Sequence, residues 1–91
     1  SERADLGLQE TQRLLLQAPE LARTWHIHGV MLAKLARYQE AMAAFERALS
    51  IDPQSAESGL FLDRARTLSE SHQRNSDRKS KEAAVEPRPA N

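Results

Sequence analysis

The side chains in this sequence best suited to chemistry are three histidines and a set of carboxylates. His26 and His28 lie two residues apart in "WHIHG", and His72 stands alone. Residues two apart on a helix point in directions about 200° apart, so His26 and His28 cannot hold one metal ion together. The sequence contains no HExxH motif, phosphate-binding glycine loop or recognisable pair of catalytic carboxylates. We therefore expect a protein that is not an enzyme and has no metal site or cofactor.

Composition narrows the remaining classes of function. The chain has 91 residues and no Cys, which excludes disulfides, thiolate catalysis and Cys-ligated zinc. Lys and Arg together number 13, as do Asp and Glu, so the formal net charge is zero and no nucleic-acid partner is expected. No apolar run approaches the roughly 18 residues of a membrane span, and no signal peptide is visible. We expect one small domain without a membrane span, located in the cytoplasm.

Helices are the elements expected to position these side chains, because Leu and Ala supply most of the apolar content. Pro19 and Pro53 divide the first 70 residues, and apolar spacing predicts helices over about 4–18, 21–35, 39–50 and 56–69. Ser55 is the expected N-cap of the last helix. The link "ARY" between the second and third helices is short, which predicts an antiparallel hairpin. The apolar face expected on the first helix comprises Leu8, Leu14, Leu15 and Leu16.

The last part of the chain has a different composition. Residues 71–91, "SHQRNSDRKSKEAAVEPRPAN", contain one large aliphatic residue, Val85, and two of the four prolines. Such a segment buries too little apolar surface to offset the entropy lost on ordering. We predict a disordered tail at 71–91 after a helical domain at 1–70. Its "RKSK" stretch is either solvated or a weak basic contact for an acidic partner or nucleic acid.

The two prolines that divide the helices, Pro19 and Pro53, are 34 residues apart. Between them, residues 22–55 resemble the tetratricopeptide repeat (TPR) family, whose period is 34 residues. Seven residues match that family's pattern in register: Trp25, Gly29, Leu32, Ala41, Phe45, Ala48 and Pro53. The resemblance implies an all-α fold of antiparallel helix–turn–helix repeats, in which these seven residues form the repeat core. Small residues belong where helices cross closely, and large ones fill the wedge between helices.

The resemblance weakens on either side of residues 22–55. One period earlier, Leu14 and Pro19 match, while Gly7 and Thr11 do not. We interpret 4–18 as the second helix of a partial repeat. One period later, Asp63 and Arg66 replace small and apolar residues of the pattern, and a charged face of this kind is typical of a capping helix. Residues 56–70 are therefore predicted to cap the array.

The family resemblance implies a non-catalytic module that binds a peptide or helix of a partner protein in a concave groove, as an adaptor or scaffold. His26 is expected either to contact this groove or to be exposed to solvent, and His28 to be a partly buried packing residue. A chaperone-tail clamp is not expected, because Val30 stands in place of its Asn and Glu57 in place of a basic residue. The predicted groove residues are Arg23, His26, Val30, Ala33, Glu57, Leu60 and Arg64.

An alternative function is structural. The chain would then be a self-associating assembly unit, forming a homo-oligomer, or a fragment of a longer repeat array. Solenoid repeats are stabilised by their neighbours, and about three are usually needed. The residues expected to lack a covering partner, and so to form an exposed apolar patch, are Leu8 and Leu15 on the first helix and Leu60 and Phe61 on the last.

Overall fold

The structure is a computed structural model that describes the backbone of residues 2–84 and the side chains of residues 2–79. Four helices joined by short turns make up this part of the chain, and it contains no strand. They are α1 (Glu2–Gln17), α2 (Ala22–Lys34), α3 (Tyr38–Ile51) and α4 (Ala56–Ala84). The predicted all-α class is confirmed. The four predicted helices are all present, and only the last differs from its predicted bounds by more than two residues.

The helices follow one another as an array, with α2 at its centre. Along the chain, each helix contacts the next, and α2 also contacts α4. Within the described residues, α1 contacts α2 alone. Helices α2 and α4 therefore contact each other on one side of the array. Among the described residues, α1 and α3 on the other side do not contact each other. Short links of this kind, joining helices that pack as antiparallel neighbours, are typical of helical repeats.

The core lies where α2 crosses α3. Phe45 is fully buried there, and its ring lies against the backbone of Gly29. A Cβ added at Gly29 would lie 2.6 Å from Cε1 of Phe45, so no larger residue fits without displacing the ring. The other buried members of this cluster are Leu8, Leu32, Ala41, Ala44 and Ala65. Most are small, which allows the helix backbones to approach closely.

The turn between α2 and α3 ends the helix by a specific backbone device. Ala36 has a φ of 59°, in the left-handed region. Its N–H donates to Ala33 O, and the N–H of Arg37 donates to Leu32 O. These two bonds form a Schellman motif, which satisfies the last carbonyls of α2 and reverses the chain within three residues. The reversal before α4 uses the expected N-cap: Ser55 Oγ accepts a hydrogen bond of 3.2 Å from the N–H of Ser58.

The buried face of α1 differs from the predicted one. Ala4, Leu8 and Thr11 are buried against α2, whereas Leu14 and Leu16 are 40% and 86% exposed. The buried residues recur at spacings of four and three, the period of one helix face, while Leu14 and Leu16 lie off that face. Thr11 fits this face because its hydroxyl donates to Leu8 O at 3.1 Å. The predicted face is therefore wrong for Leu14 and Leu16.

The end of the last helix is also corrected. It was predicted at about residue 70, but α4 continues to Ala84, so residues 71–84 are helical. Their sequence lacks Pro and Gly and is rich in Gln, Arg, Lys, Glu and Ala, which favour helix even without burial. Tyr38 on α3 supports the start of this extension, with its ring centroid 5.7 Å from that of His72. The remainder of the predicted tail, 85–91, lies outside the described residues.

Two helical glycines are expected to respond in opposite ways to substitution by Ala. A Cβ at Gly59 meets nothing within 4 Å, so Gly59→Ala should stabilise the fold by about 0.5–1 kcal/mol through helix propensity. Gly29→Ala gains the same propensity but must displace the buried Phe45 ring, and it should destabilise by a net ~1–2 kcal/mol. Urea unfolding of both variants measures the two free energies of unfolding. Equal shifts in the same direction would contradict the close crossing of α2 and α3.

Candidate functional site

The surface on which α2 and α4 meet carries the candidate site, and we call it the inner face. On α2, Arg23 and Ile27 line a cavity of about 570 Å³ together with Glu57 at the start of α4. Helical spacing adds further residues one or two turns along each helix. The inner face comprises Arg23, Ile27, Val30 and Lys34 of α2 and Glu57, Phe61, Arg64 and Leu68 of α4.

Beneath the inner face, His26 joins α2 to α4. Its side chain is only 13% exposed. The ring lies between two phenylalanines, with centroids 5.3 Å from Phe45 and 5.0 Å from Phe61. His26 Nδ1 is hydrogen-bonded to the buried Ser58 Oγ at 2.9 Å, and Nε2 lies 3.5 Å from Glu57 Oε1. His26 is therefore mainly a packing residue that also lines the cavity, so of the two expected alternatives only solvent exposure is wrong.

The other predicted groove residues divide into exposed and packed groups. Val30 and Ala33 are partly buried against the core, so they present little surface to a partner. Leu60 is 50% exposed. Arg64 is exposed, and its Cζ lies 5.6 Å from the centroid of the Phe61 ring. The structure thus brings Arg23, His26 and Glu57 to one cavity, while the rest of the set extends along both helices.

Four inner-face residues are absent from the predicted groove, and one of them, Phe61, was expected instead in the exposed apolar patch. Ile27 lines the cavity between the two helices, Lys34 is exposed at the end of α2, and Leu68 is 46% exposed next to Arg64 on α4. Leu68 and Arg64 are four residues apart, and the same is true of Ile27 and Arg23. That spacing was readable in the sequence, but it shows only that two residues share a helix face and leaves open which face is uncovered.

The opposite side of α2 holds the second histidine of "WHIHG". His28 Nδ1 lies 3.1 Å from Thr11 Oγ1 on α1, and the ring meets Trp25 edge-on with centroids 6.2 Å apart. His28 is partly buried, as predicted for a packing residue. Burial lowers the pKa of His28 below its usual value, the nearby Arg37 guanidinium lowers it further, and Glu40 opposes both.

The lowered pKa of His28 predicts a loss of stability in acid. The unfolded chain binds a proton at His28 more readily than the folded chain, so this contribution is complete above the unfolded pKa of about 6.5 and decreases as pH falls below it. We expect the thermal midpoint to decrease as the pH is lowered from about 7.5 to about 5.5, and to decrease less in His28→Gln. Gln retains a donor for Thr11, and the other histidines are common to both proteins. Identical pH dependence in the two proteins would refute this role of His28.

Trp25 is anchored rather than available for chemistry. Its Nε1–H donates to Pro19 O at 2.7 Å, and Arg47 Cζ lies 5.7 Å from the ring centroid. Trp25, His28 and Arg47 line a shallow cavity of about 510 Å³ between α2 and α3. The other predicted core residues are buried, with the exception of Pro53, which is exposed in the turn before α4. Its contribution is to the backbone of that turn.

The expected exposed apolar patch is only partly present. Leu8 is buried against α2, and Phe61 packs edge-on against Phe45 with ring centroids 5.9 Å apart. Leu15 is half-buried, and only Leu60 is as exposed as predicted. The expectation that Leu8 and Phe61 lack a covering partner is wrong. Helix α2 covers Leu8, and Phe45 of α3 packs against Phe61.

The described residues lack two other features. Among residues 2–79, whose side chains the structure describes, no set of three His, Cys, Asp or Glu residues is arranged to hold a metal ion. No helix in the same part of the chain combines the length and the apolar character needed to cross a membrane.

Comparisons with known proteins agree with the geometry of α2 and α3. The family model described as "Tetratricopeptide repeat" matches residues 22–55, the two helices with their turns. No curated protein and no solved structure matches the chain. The matched segment holds all seven residues of the repeat pattern, including the Gly29–Phe45 contact and Pro53 in the following turn. Residues 22–55 of this chain are therefore a tetratricopeptide repeat.

Proposed function

We propose that this protein is a non-catalytic adaptor or scaffold whose inner face binds a peptide or helix of a partner protein. Tetratricopeptide repeats generally mediate protein–protein interactions. The observation that carries the proposal is the cavity of about 570 Å³ between α2 and α4, which opens onto exposed side chains of both helices. A cytoplasmic location belongs to the same proposal.

The shape of the inner face supports an extended or helical ligand. α2 and α4 lie side by side, and Ile27 and Leu68 offer apolar contacts near exposed charged residues. A helix or peptide lying along such a surface is recognised by anchors at spacings of three and four residues. The partly buried His26–Ser58 hydrogen bond fixes the two helices relative to each other, so the surface is formed before a ligand binds.

A peptide selection tests this proposal. Short random peptides displayed on phage would be selected against the full chain, and the affinities of synthetic copies measured by fluorescence anisotropy. The double variant Ile27→Gln/Leu68→Gln should weaken binding at least about fivefold, because anchor contacts dominate such interfaces. The matched control is Leu16→Gln on α1, which is 86% exposed and should leave affinity unchanged. Circular dichroism of each variant verifies folding. Peptides that bind the double variant as well as the parent would refute the inner-face site.

Self-association is the second candidate, and the half-exposed Leu60 and Leu68 on α4 are the observation that favours it. Sedimentation velocity over a wide concentration range distinguishes the two functions. A dimer that Leu60→Gln dissociates would support assembly through α4. A concentration-independent monomer would exclude it.

A further inference from the structure

The cavity of about 510 Å³ between α2 and α3 lies on the side of α2 opposite the inner face, and we call it the outer groove. Within the described residues α1 and α3 do not contact each other, so part of α2 is left uncovered between them. The residues that line the outer groove are Trp25, His28 and Leu32 of α2 and Glu40, Ala43, Ala44 and Arg47 of α3.

Exposed apolar side chains continue the outer groove beyond this cavity. Leu21 lies one turn before Trp25, at the start of α2, and is 51% exposed. Ile51 lies one turn after Arg47, at the end of α3, and is 37% exposed. Residues four apart share a helix face, so Leu21 and Ile51 extend the two sides of the groove. An exposed apolar surface along about three helical turns is typical of a protein–protein contact.

The charges of α3 along the outer groove have a self-complementary arrangement. Glu40 and Arg47 are seven residues apart, so they lie on one line along the helix, separated by about 10.5 Å. Glu46, the other charged residue of α3, is about 100° from Arg47 around the helix and lies off this line. A two-fold axis between Ala43 and Ala44, midway along the line, places Arg47 of each copy opposite Glu40 of the other.

Both charges can accept a second partner in this arrangement. Glu40 accepts two exposed hydrogen bonds from Arg37, at 2.9 and 2.7 Å, and its carboxylate retains lone pairs for another guanidinium. Arg47 is exposed and, like several other arginines, has no salt bridge within residues 2–79. Burial lowers the pKa of His28, so its ring is mainly neutral at pH 7 and adds little charge to the groove.

We infer that the outer groove is an interface in which α3 of a second copy of this chain packs antiparallel to α3 of the first. The small side chains of Ala43 and Ala44 let the two helices approach closely at the axis. A Glu40–Arg47 pair forms on each side of the axis. A copy of this chain fits better than an unrelated helix, because the groove already carries both charges in the order that an antiparallel copy requires.

Such a dimer leaves both inner faces accessible. The inner face is on the opposite side of α2 from the outer groove, so the dimer presents two of them to solvent. A partner with two binding segments then binds more tightly without any new contact. This consequence rests on the proposed peptide-binding function, whereas the dimer itself does not. The interface also differs from self-association through Leu60 and Leu68, which would use α4.

Charge reversal tests the pairing, with sedimentation velocity of the full chain from micromolar to millimolar concentrations as the measurement. Glu40→Arg and Arg47→Glu each place like charges opposite each other, so each should weaken dimerisation at least about fivefold. The double variant Glu40→Arg/Arg47→Glu restores opposite charges and should dimerise within about twofold of the parent. The matched control Glu46→Arg changes net charge as Glu40→Arg does, and it should alter dimerisation less than about twofold. Circular dichroism verifies that each variant is folded.

A cysteine cross-link locates the contact independently. The chain has no Cys, so Ala43→Cys introduces a single thiol at an exposed position beside the axis. Mild oxidation should convert this variant to a covalent dimer in higher yield than Thr67→Cys, whose thiol is exposed on α4. Trp25 is the only Trp and lines the outer groove, so its emission should shift to shorter wavelength as the dimer forms.

Three results would overturn the inference. The first is a chain that remains monomeric at millimolar concentration, a result that leaves the peptide-binding proposal standing. The second is a dimer that Leu60→Gln dissociates and Thr67→Cys cross-links, because its contact is on α4. The third is a folded double charge variant that dimerises no better than the two single variants, because the Glu40–Arg47 pairing is then absent. Peptide binding is tested separately by Ile27→Gln/Leu68→Gln, so failure of one proposal is distinguishable from failure of the other.

Discussion

Phe45→Ala should leave the protein largely unfolded at room temperature. Phe45 is completely buried, lies against Gly29, and contacts the rings of His26 and Phe61. It thus joins α2, α3 and α4 in one cluster. Truncating a core aromatic residue costs about 3–5 kcal/mol, and a domain this small has roughly that much stability in total. Far-UV circular dichroism and urea unfolding measure the result.

The control for Phe45→Ala is Leu16→Ala, since Leu16 is 86% exposed. Its free energy of unfolding should stay within about 0.5 kcal/mol of the parent. A cooperative Phe45→Ala melt with a nearly unchanged midpoint would contradict the packing of the repeat. Because the expected effect is global, any loss of ligand binding in Phe45→Ala carries no information about the inner face, and the exposed-site variants serve that purpose.

Leu8→Ala should cost about 2–4 kcal/mol, the second largest effect we expect. Leu8 is buried against α2, and the sequence alone does not distinguish it from Leu14, which is 40% exposed. Leu14→Ala should cost less than ~1 kcal/mol, because most of its contacts are at the surface. Urea unfolding of the two variants gives the comparison directly.

Hydrogen exchange adds a second measurement for Leu8→Ala. Among the described helices, α1 contacts α2 alone. In this variant the exchange rate of the α1 amides should therefore increase more than that of the α3 amides. Equal destabilisation by Leu8→Ala and Leu14→Ala would show that α1 is not docked as described. Uniform acceleration in all helices would show that α1 is part of a single cooperative unit with α2 and α3.

For ligand binding, the exposed residues of α2 and α4 matter more than the aromatic residues. Trp25 and Phe45 position the helices, whereas Arg23, Arg64 and Leu68 are exposed to solvent. The contact of Arg64 with Phe61 connects the two sets, since a core ring supports a surface charge. Substitutions in one set should therefore change stability, and substitutions in the other should change affinity.

The sequence by itself determined the elements of the fold. Pro19 and Pro53 marked the breaks, the apolar spacing located four helices, and Ser55 was identified as an N-cap. These features depend on residues close in sequence, where helix propensity, capping and the loss of a backbone N–H at proline act directly. The seven-residue repeat pattern added the pairing of α2 with α3, because that hairpin is the unit of the family.

Tertiary structure alone decided which helix faces are covered. Periodicity shows that Leu8 shares a stripe with Thr11, but only the position of α2 buries that stripe and leaves Leu14 exposed. In the same way, α4 turns His26 into a packing residue, while the neighbouring Ile27 lines the cavity. Burial depends on contacts with residues distant in sequence, and the positions of those residues cannot be predicted from the local pattern.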